Sequence, residues 1–392
     1  MKKASIVFIT GSKSSLPFID EAKKRGYKTI VIDNDPDCVG KEIADNFAVF
    51  SAADEENILD YLKVISDKFE IKGIITYSSL SFAMTSASRI AQEFNLPFYS
   101  KESVEITYDK GLLHQKMIGS GCNLPKTSNE LSKELLSSKG FNFPIVLKLK
   151  SGIGSLGTSF IESNNDLMKA LAHQDLSKFI IQEYIQGPLL HIDGYIQNGQ
   201  VFFFALLEKG TKTENSVPLT KSFCKASEGF LNLKEYEGLL NSIIKFIYIS
   251  GMDNNFFGAD FIFDIKKQDF FLIEIGYLLD VKIDRLLYKA GINPYRIMLD
   301  IATGKKVKAD LNSLKKNLKL EFIYPNKVGK FNHIYDEDIL FEWENDSGEV
   351  SALPKSVSDV LGWGIYSTLL YEKIPIDKLN NIFNKFVNED DR

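Results

Sequence analysis

The sequence predicts an α/β domain followed by mixed α+β units, and three observations predict it. Strand-like and helix-like segments alternate through the first hundred residues. From Phe143 onward a strand runs into a Gly-rich loop and then into a second strand, with no helix between them. Beyond Gly187 come hairpin signals, clearest at Asn198-Gly199, and then two neighbouring strands that each carry one carboxylate. Alternation of the first kind argues for a parallel sheet with right-handed crossovers, whose ligands sit at the carboxyl ends of the strands.

The elements follow in order. Ile6–Thr10 is a β-branched strand ending at Gly11; Pro17 opens an amphipathic segment, Phe18–Arg25, closed by Gly26. Lys28–Asp33 is a second strand, ended by the turn cluster Asp33-Asn34-Asp35-Pro36. A strand at Phe47–Phe50, a helix near Glu55–Lys68, a strand at Gly73–Tyr77 and a helix at Ser81–Phe94 complete the domain. This puts Gly11–Ser15, Asp33–Asp35 and Tyr77–Ser79 along one edge. The loop at Gly11 lacks the G-x-G-x-x-G fingerprint, which disfavours a dinucleotide; its hydroxyls suit either a turn or a substrate anion.

A helix near Lys110–Gly121 precedes the strand Phe143–Lys150, the loop Ser151–Gly157 and the strand Thr158–Ile161. A Gly-rich hairpin of this kind can lay backbone N–H groups over phosphates, with a strand lysine as point charge, although no Gly-Lys-Ser/Thr is present. Phe179–Tyr184 is the next strand, and Leu190–Gln197 with Val201–Leu207 forms a hairpin. The polar segment Gly210–Thr220 reads as a mobile lid. Tyr236–Ile249 is helical, and Gly258–Asp264 and Phe270–Ile275 are strands. Leu286–Ala302 is one helix; short strands at Lys319–Tyr324, Leu340–Glu344 and Gly364–Tyr371 and a last helix end the chain.

Composition sets the outer bounds. At roughly 150 residues per domain, 392 residues imply about two to three domains. Hydrophobic residues at 44% and charged residues at 25% describe a globular protein. A net charge of -5 argues against a nucleic-acid partner while leaving room for a local basic cleft. The spread cysteines Cys38, Cys122 and Cys224 form no disulfide framework or zinc spacing and fit a reducing cytoplasm. No apolar run nears the ~18 residues of a membrane span, so a cytoplasmic protein is expected.

Asp260 and Glu274 lie on adjacent strands where antiparallel pairing brings them face to face. Two carboxylates in a cleft repel unless a hard cation stands between them, and Mg²⁺ bridging phosphate oxygens suits oxygen ligands. His191 reads either as a surface or hydrogen-bonded structural residue or as a ribose or phosphate contact. His114, His173 and His333 form no metal-spaced cluster, and the Phe-rich runs read as core packing.

The order of these motifs resembles the ATP-grasp superfamily, in its carboxylate–amine ligase and biotin carboxylase-like branch. The resemblance rests on IVFITGS…VIDNDPDCVG, Tyr108-Asp109-Lys110, FPIVLKLKSGIGSLGTSFI, IIQEYIQGPLLHIDGY, FFGADFIFD…DFFLIEIG and GINPYRIMLDIATGK. It implies a Rossmann-like pre-ATP-grasp domain over 1–105 and a small ATP-grasp subdomain over 106–187. A large subdomain then covers 188–305 and a small α+β C-terminal extension 306–392.

The resemblance also implies site residues. Lys110 and Lys148 would neutralise the phosphates of ATP, and Ser151, Gly152, Gly154, Ser155 and Gly157 would cover them. Gln182, Glu183, Tyr184 and Ile185 would line the adenine, with His191 nearby. Asp260 and Glu274 would hold Mg²⁺. Three positions depart from the family. Gly276 and Leu278 replace the usual Asn and Arg after the second metal carboxylate, and Leu189 replaces a ribose-binding glutamate. Asp280, Lys282, Asp284 and Arg285 stand close enough to substitute, with Lys148, Lys282 and Arg285 as the catalytic cations. The implied activity is ATP-dependent ligation of a small-molecule carboxylate to an amine, in a possible homodimer. The alternatives are a small-molecule kinase and a nucleotide-binding regulatory or assembly subunit with a degenerate catalytic shell.

Overall fold

The computed structural model describes residues 2–131, 140–152, 157–172, 174–214, 217–309, 317–324, 329–330, 339–344, 349–350 and 360–367. The expected last helix lies outside the described residues, as do Gly154 and Ser155.

The first sheet is parallel, in the order Asn46–Val49, Lys28–Asp33, Lys3–Ile9, Phe69–Ile75. Its strands are apolar on both faces because both faces are covered. Along Lys3–Ile9, Val7 and Ile9 pack with Ile58, Leu62, Ala87 and Ile90 of the helices Glu55–Ile65 and Ser81–Glu93. Ile6 and Phe8 face the other way, onto Phe18 and Ile19 of Leu16–Lys24 and onto Met298 and Ile301 of Pro294–Ala302. The single helix expected over Leu286–Ala302 is two, Ile283–Ala290 and Pro294–Ala302. Gly291 closes the first in the left-handed region (φ 102°). Asn293 then caps the second by accepting from Arg296 N at 2.9 Å, with Pro294 in its first turn. A further helix, Lys101–Tyr108, was not anticipated; Ser100 caps it.

A four-stranded antiparallel sheet follows, in the order Thr127–Ser128, Phe179–Glu183, Ile145–Leu149, Ser159–Ile161. The third sheet has eight strands, in the order Asp269–Gly276, Asn255–Asp264, Leu189–Gln197, Gln200–Glu214, Val217–Lys225, Leu318–Ile323, Gly362–Ser367, Leu340–Trp343. The strands late in the chain therefore extend the sheet that carries Asp260 and Glu274. The segment expected to be a lid is mostly hairpin: Thr211 pairs with Thr220 and Lys212 with Leu219. Among the described residues, no helix is long and apolar enough to cross a membrane.

Candidate active site

A cleft of about 1360 Å³ runs between the two antiparallel sheets to the carboxyl ends of the first-sheet strands, where Ser14, Tyr77 and Ser79 line it. Lys110 enters as the first residue of the helix Lys110–Ile118. Asp109 caps that helix by accepting from Gly111 N at 2.7 Å and Leu112 N at 3.0 Å. The Lys110 backbone N–H donates to Lys150 O at 2.9 Å, tying the helix start to the strand that precedes the glycine loop. Its ammonium donates to Gly152 O at 2.5 Å and pairs with Glu274 Oε1 at 3.1 Å. Ser151, opposite Asp109, opens the loop, and Gly157 closes it at φ +70°. A Cβ at Gly157 would stand 2.5 Å from Leu149 Cδ1, so a side chain there is excluded twice over.

Lys148 projects from Ile145–Leu149 and donates to Gln182 Oε1 at 2.8 Å; Gln182 in turn donates to Thr127 Oγ1 at 3.2 Å. Burial disfavours the Lys148 ammonium, and although Glu274 opposes this, Lys110 adds to it; the pKa falls to about 8. An amine held this way gains from an arriving anion. If Lys148 meets a phosphate of ATP, as the resemblance implies, ATP affinity is expected to weaken as pH rises through about 8, because the cationic form is lost, by up to about tenfold per pH unit. Calorimetric titration from neutral to alkaline pH checks this, and a flat profile would contradict it. Glu183, Tyr184 and Ile185 line the same end of the cleft, with Ile185 buried and Tyr184 exposed at 40%.

Strand register places His191, Asp260 and Glu274 on one face. Asp260 is paired directly with Glu274 on one side and with His191 on the other. His191 donates from Nδ1 to Asp260 Oδ1 at 2.6 Å, and its Nε2 stands 2.8 Å from Asp193 Oδ2. Burial works against charging the ring, but Asp193 and Asp260 outweigh it and lift its pKa to about 10. His191 is thus buried and held between two carboxylates, and it also lines the cleft. Lys209 donates to Asp260 Oδ2 at 2.9 Å and to Asp280 Oδ2 at 2.5 Å. Lys209 and Asp193 were missed from sequence: the strand was expected to end at Leu207, which left Lys209 at the mouth of a loop. For Lys209, the charged pair Glu208-Lys209 directly following an apolar strand was the available signal.

The oxygen donors offer a test for a hard cation. Glu274 fits, since its side chain is 37% exposed and Lys110 engages only one of its oxygens. Asp260 is already engaged through both oxygens.

At the far end, Lys282 and Arg285 both line the cleft. Lys282 adopts a left-handed backbone (φ 59°), pairs with Glu344, and lies 4.1 Å from the centroid of the Trp363 ring. Arg285 donates to Tyr295 Oη at 3.2 Å and lies 3.5 Å from Glu342 Oε2. Both cations are thus held by carboxylates from the end of the strand Leu340–Trp343. A Cβ at Gly276 would meet nothing within 4 Å, so the backbone there has room for a side chain.

No family model matches the chain. It is 24% identical over 278 residues to the N5-carboxyaminoimidazole ribonucleotide synthase of Staphylococcus saprophyticus, covering 68% of each chain. Among solved structures, it resembles an L-amino acid ligase from Bacillus licheniformis with a TM-score of 0.76, 18% identity and full coverage of both chains. It also resembles the biotin carboxylase domain dimer of the Hydrogenobacter thermophilus 2-oxoglutarate carboxylase, solved with MgADP and bicarbonate. That match has a TM-score of 0.73 at 15% identity, covering 98% of this chain and 91% of the other.

Proposed function

We propose that this chain is an ATP-grasp enzyme of the carboxylate–amine ligase and biotin carboxylase-like branch, which activates a small-molecule carboxylate with ATP and joins it to an amine. The observation that carries the reading is that Lys110, Lys148 and Glu274 line one cleft, with Lys110 paired to Glu274 at 3.1 Å. That is a preformed site for a polyphosphate with its metal.

In the first step a substrate carboxylate oxygen attacks the γ-phosphorus. The bond from that phosphorus to the bridging oxygen breaks, and ADP departs, leaving an acyl phosphate. The amine then attacks the acyl carbon, loses a proton and expels inorganic phosphate. Mg²⁺, when bound, neutralises charge on the transferring phosphoryl group. The chain's own part is positioning and charge. Lys110 and Lys148 hold phosphate oxygens, Glu274 holds the metal, and the loop from Ser151 to Gly157 covers the phosphates. Gln182 to Ile185 border the adenine. Lys282 and Arg285, steadied by Glu344 and Glu342, attract the acid substrate. Free thiols at Cys38, Cys122 and Cys224 support work in a reducing cytoplasm.

Mg-ATP is expected to raise the thermal midpoint, by about 2.7 kcal/mol of linkage at a hundredfold excess over Kd. ADP release should require a carboxylic acid, and sustained turnover an amine. The measurement is an ADP-release assay over a panel of acids with and without amines. ADP formed equally well with no acid present would rule out the ligase, and acid-dependent release indifferent to every amine would favour a small-molecule kinase.

A further inference from the structure

Lys209 stands at the centre of a buried ion cluster on the cleft floor. Its strand, Gln200–Glu214, lies beside Leu189–Gln197, which carries His191 and Asp193. Asp260 comes from the next strand over. Asp280 is fixed by its own surroundings: its N–H donates to Asp193 Oδ1 at 3.0 Å, and its Oδ1 accepts from Val281 N at 2.6 Å. Its Oδ2 is left for Lys209. The ammonium also lies 5.6 Å from the centroid of the Phe223 ring, and the Lys209 side chain is 10% exposed.

His191, Asp260 and Asp280 present ligand atoms within 4.8 Å of one another, a spacing that could hold a metal ion. The lysine ammonium already bridges the two carboxylates of that set. For Asp260 to turn toward a metal it would have to give up its contacts with His191 and Lys209 together, leaving each buried cation with a single carboxylate, Asp193 for His191 and Asp280 for Lys209. Glu274, more open to the cleft, is engaged through one oxygen only, by Lys110.

We propose that Lys209 is a fixed cation built into the cleft floor. It commits Asp260 and Asp280 to itself, so that Glu274 is the carboxylate that holds the metal and each chain takes up one divalent ion with its nucleotide. Lys209 is a positioning residue, since it acts through Asp260. The metal count rests on the Mg-ATP reading above; the role of Lys209 as the occupant of the cluster does not.

The test is Mn²⁺ binding by electron paramagnetic resonance on the full chain, with and without a non-hydrolysable ATP analogue. With the analogue, wild type is expected to bind one Mn²⁺ per chain. Glu274→Gln should weaken that ion by at least about tenfold and Asp260→Asn by less than about threefold. Two ions per wild-type chain, or equal losses in the two variants, would overturn the assignment. Without nucleotide, Lys209→Met is expected to gain an Mn²⁺ site absent from wild type, and Lys209→Arg is expected to keep it closed. A folded Lys209→Met protein, checked by its thermal midpoint, that gains no ion would overturn the role given to Lys209. Absence of nucleotide-dependent Mn²⁺ uptake in wild type brings down the Mg-ATP reading instead, and the nucleotide-free comparison still decides Lys209.

Discussion

Replacing Lys148 by methionine is expected to lower ADP formation by about 10²–10³-fold, the effect of removing one preorganised donor from a developing charge. The thermal midpoint should be unchanged or higher. The opposite signs follow from one fact. Withdrawn from water, Lys148 has a pKa lowered from 10.5 to about 8, so at neutral pH its ionised form weakens the folded state. That penalty is fully present below the folded pKa and disappears as pH rises through the unfolded one. Methionine keeps much of the volume and removes the charge. Steady-state kinetics beside a thermal melt checks both halves. A variant with near-wild-type turnover would exclude Lys148 from the phosphate site.

Asp193→Ala is expected to destabilise the fold by about 3–5 kcal/mol, the range for breaking a buried ion pair from one side. Asp193 is 1% exposed. It faces His191 at 2.8 Å and accepts from Asp280 N at 3.0 Å, so its loss removes one of the two carboxylates that hold the buried imidazolium, leaving Asp260, and orphans an N–H as well. The neighbouring backbone offers no slack: a Cβ on Gly258 would lie 2.9 Å from Asp193 Oδ1. Asp193→Asn keeps an acceptor for Asp280 N and isolates the charge component. Urea unfolding measures both, and a loss below about 1 kcal/mol for the alanine variant would show that the cluster relaxes.

Much of this architecture was legible along the chain because its signals are local. The turn cluster Asp33-Asn34-Asp35-Pro36, the Asn198-Gly199 turn, and Pro17 and Gly26 at the two ends of the first helix each mark a boundary within a few residues. The facing of Asp260 and Glu274 could be read from strand alternation, since two neighbouring strands and one short turn set it. The Lys209 cluster was not legible. It joins residues from three strands and a loop, and no periodicity in one strand reports the register of another. Likewise the division of Leu286–Ala302 was spelled out by Gly291 and Asn293-Pro294, yet amphipathic spacing continuous across the break concealed it. Lys282 and Arg285 could be proposed from proximity in sequence, but Glu342 and Glu344, which hold them, arrive from a strand more than fifty residues later.

That late strand belongs to a group that hems the large sheet. Leu318–Ile323 pairs with Val217–Lys225, and Gly362–Ser367 closes over it in turn. A chain cut after residue 305 would leave Val217–Lys225 with unpaired N–H and C=O groups and strip Phe322 from Phe223, whose ring centroids lie 6.1 Å apart. Raw strand edges recruit other chains. Such a fragment should tend toward self-association rather than behave as a minimal nucleotide-binding unit. Because Phe223 also backs the Lys209 ammonium, fraying of that hem would reach the floor of the cleft.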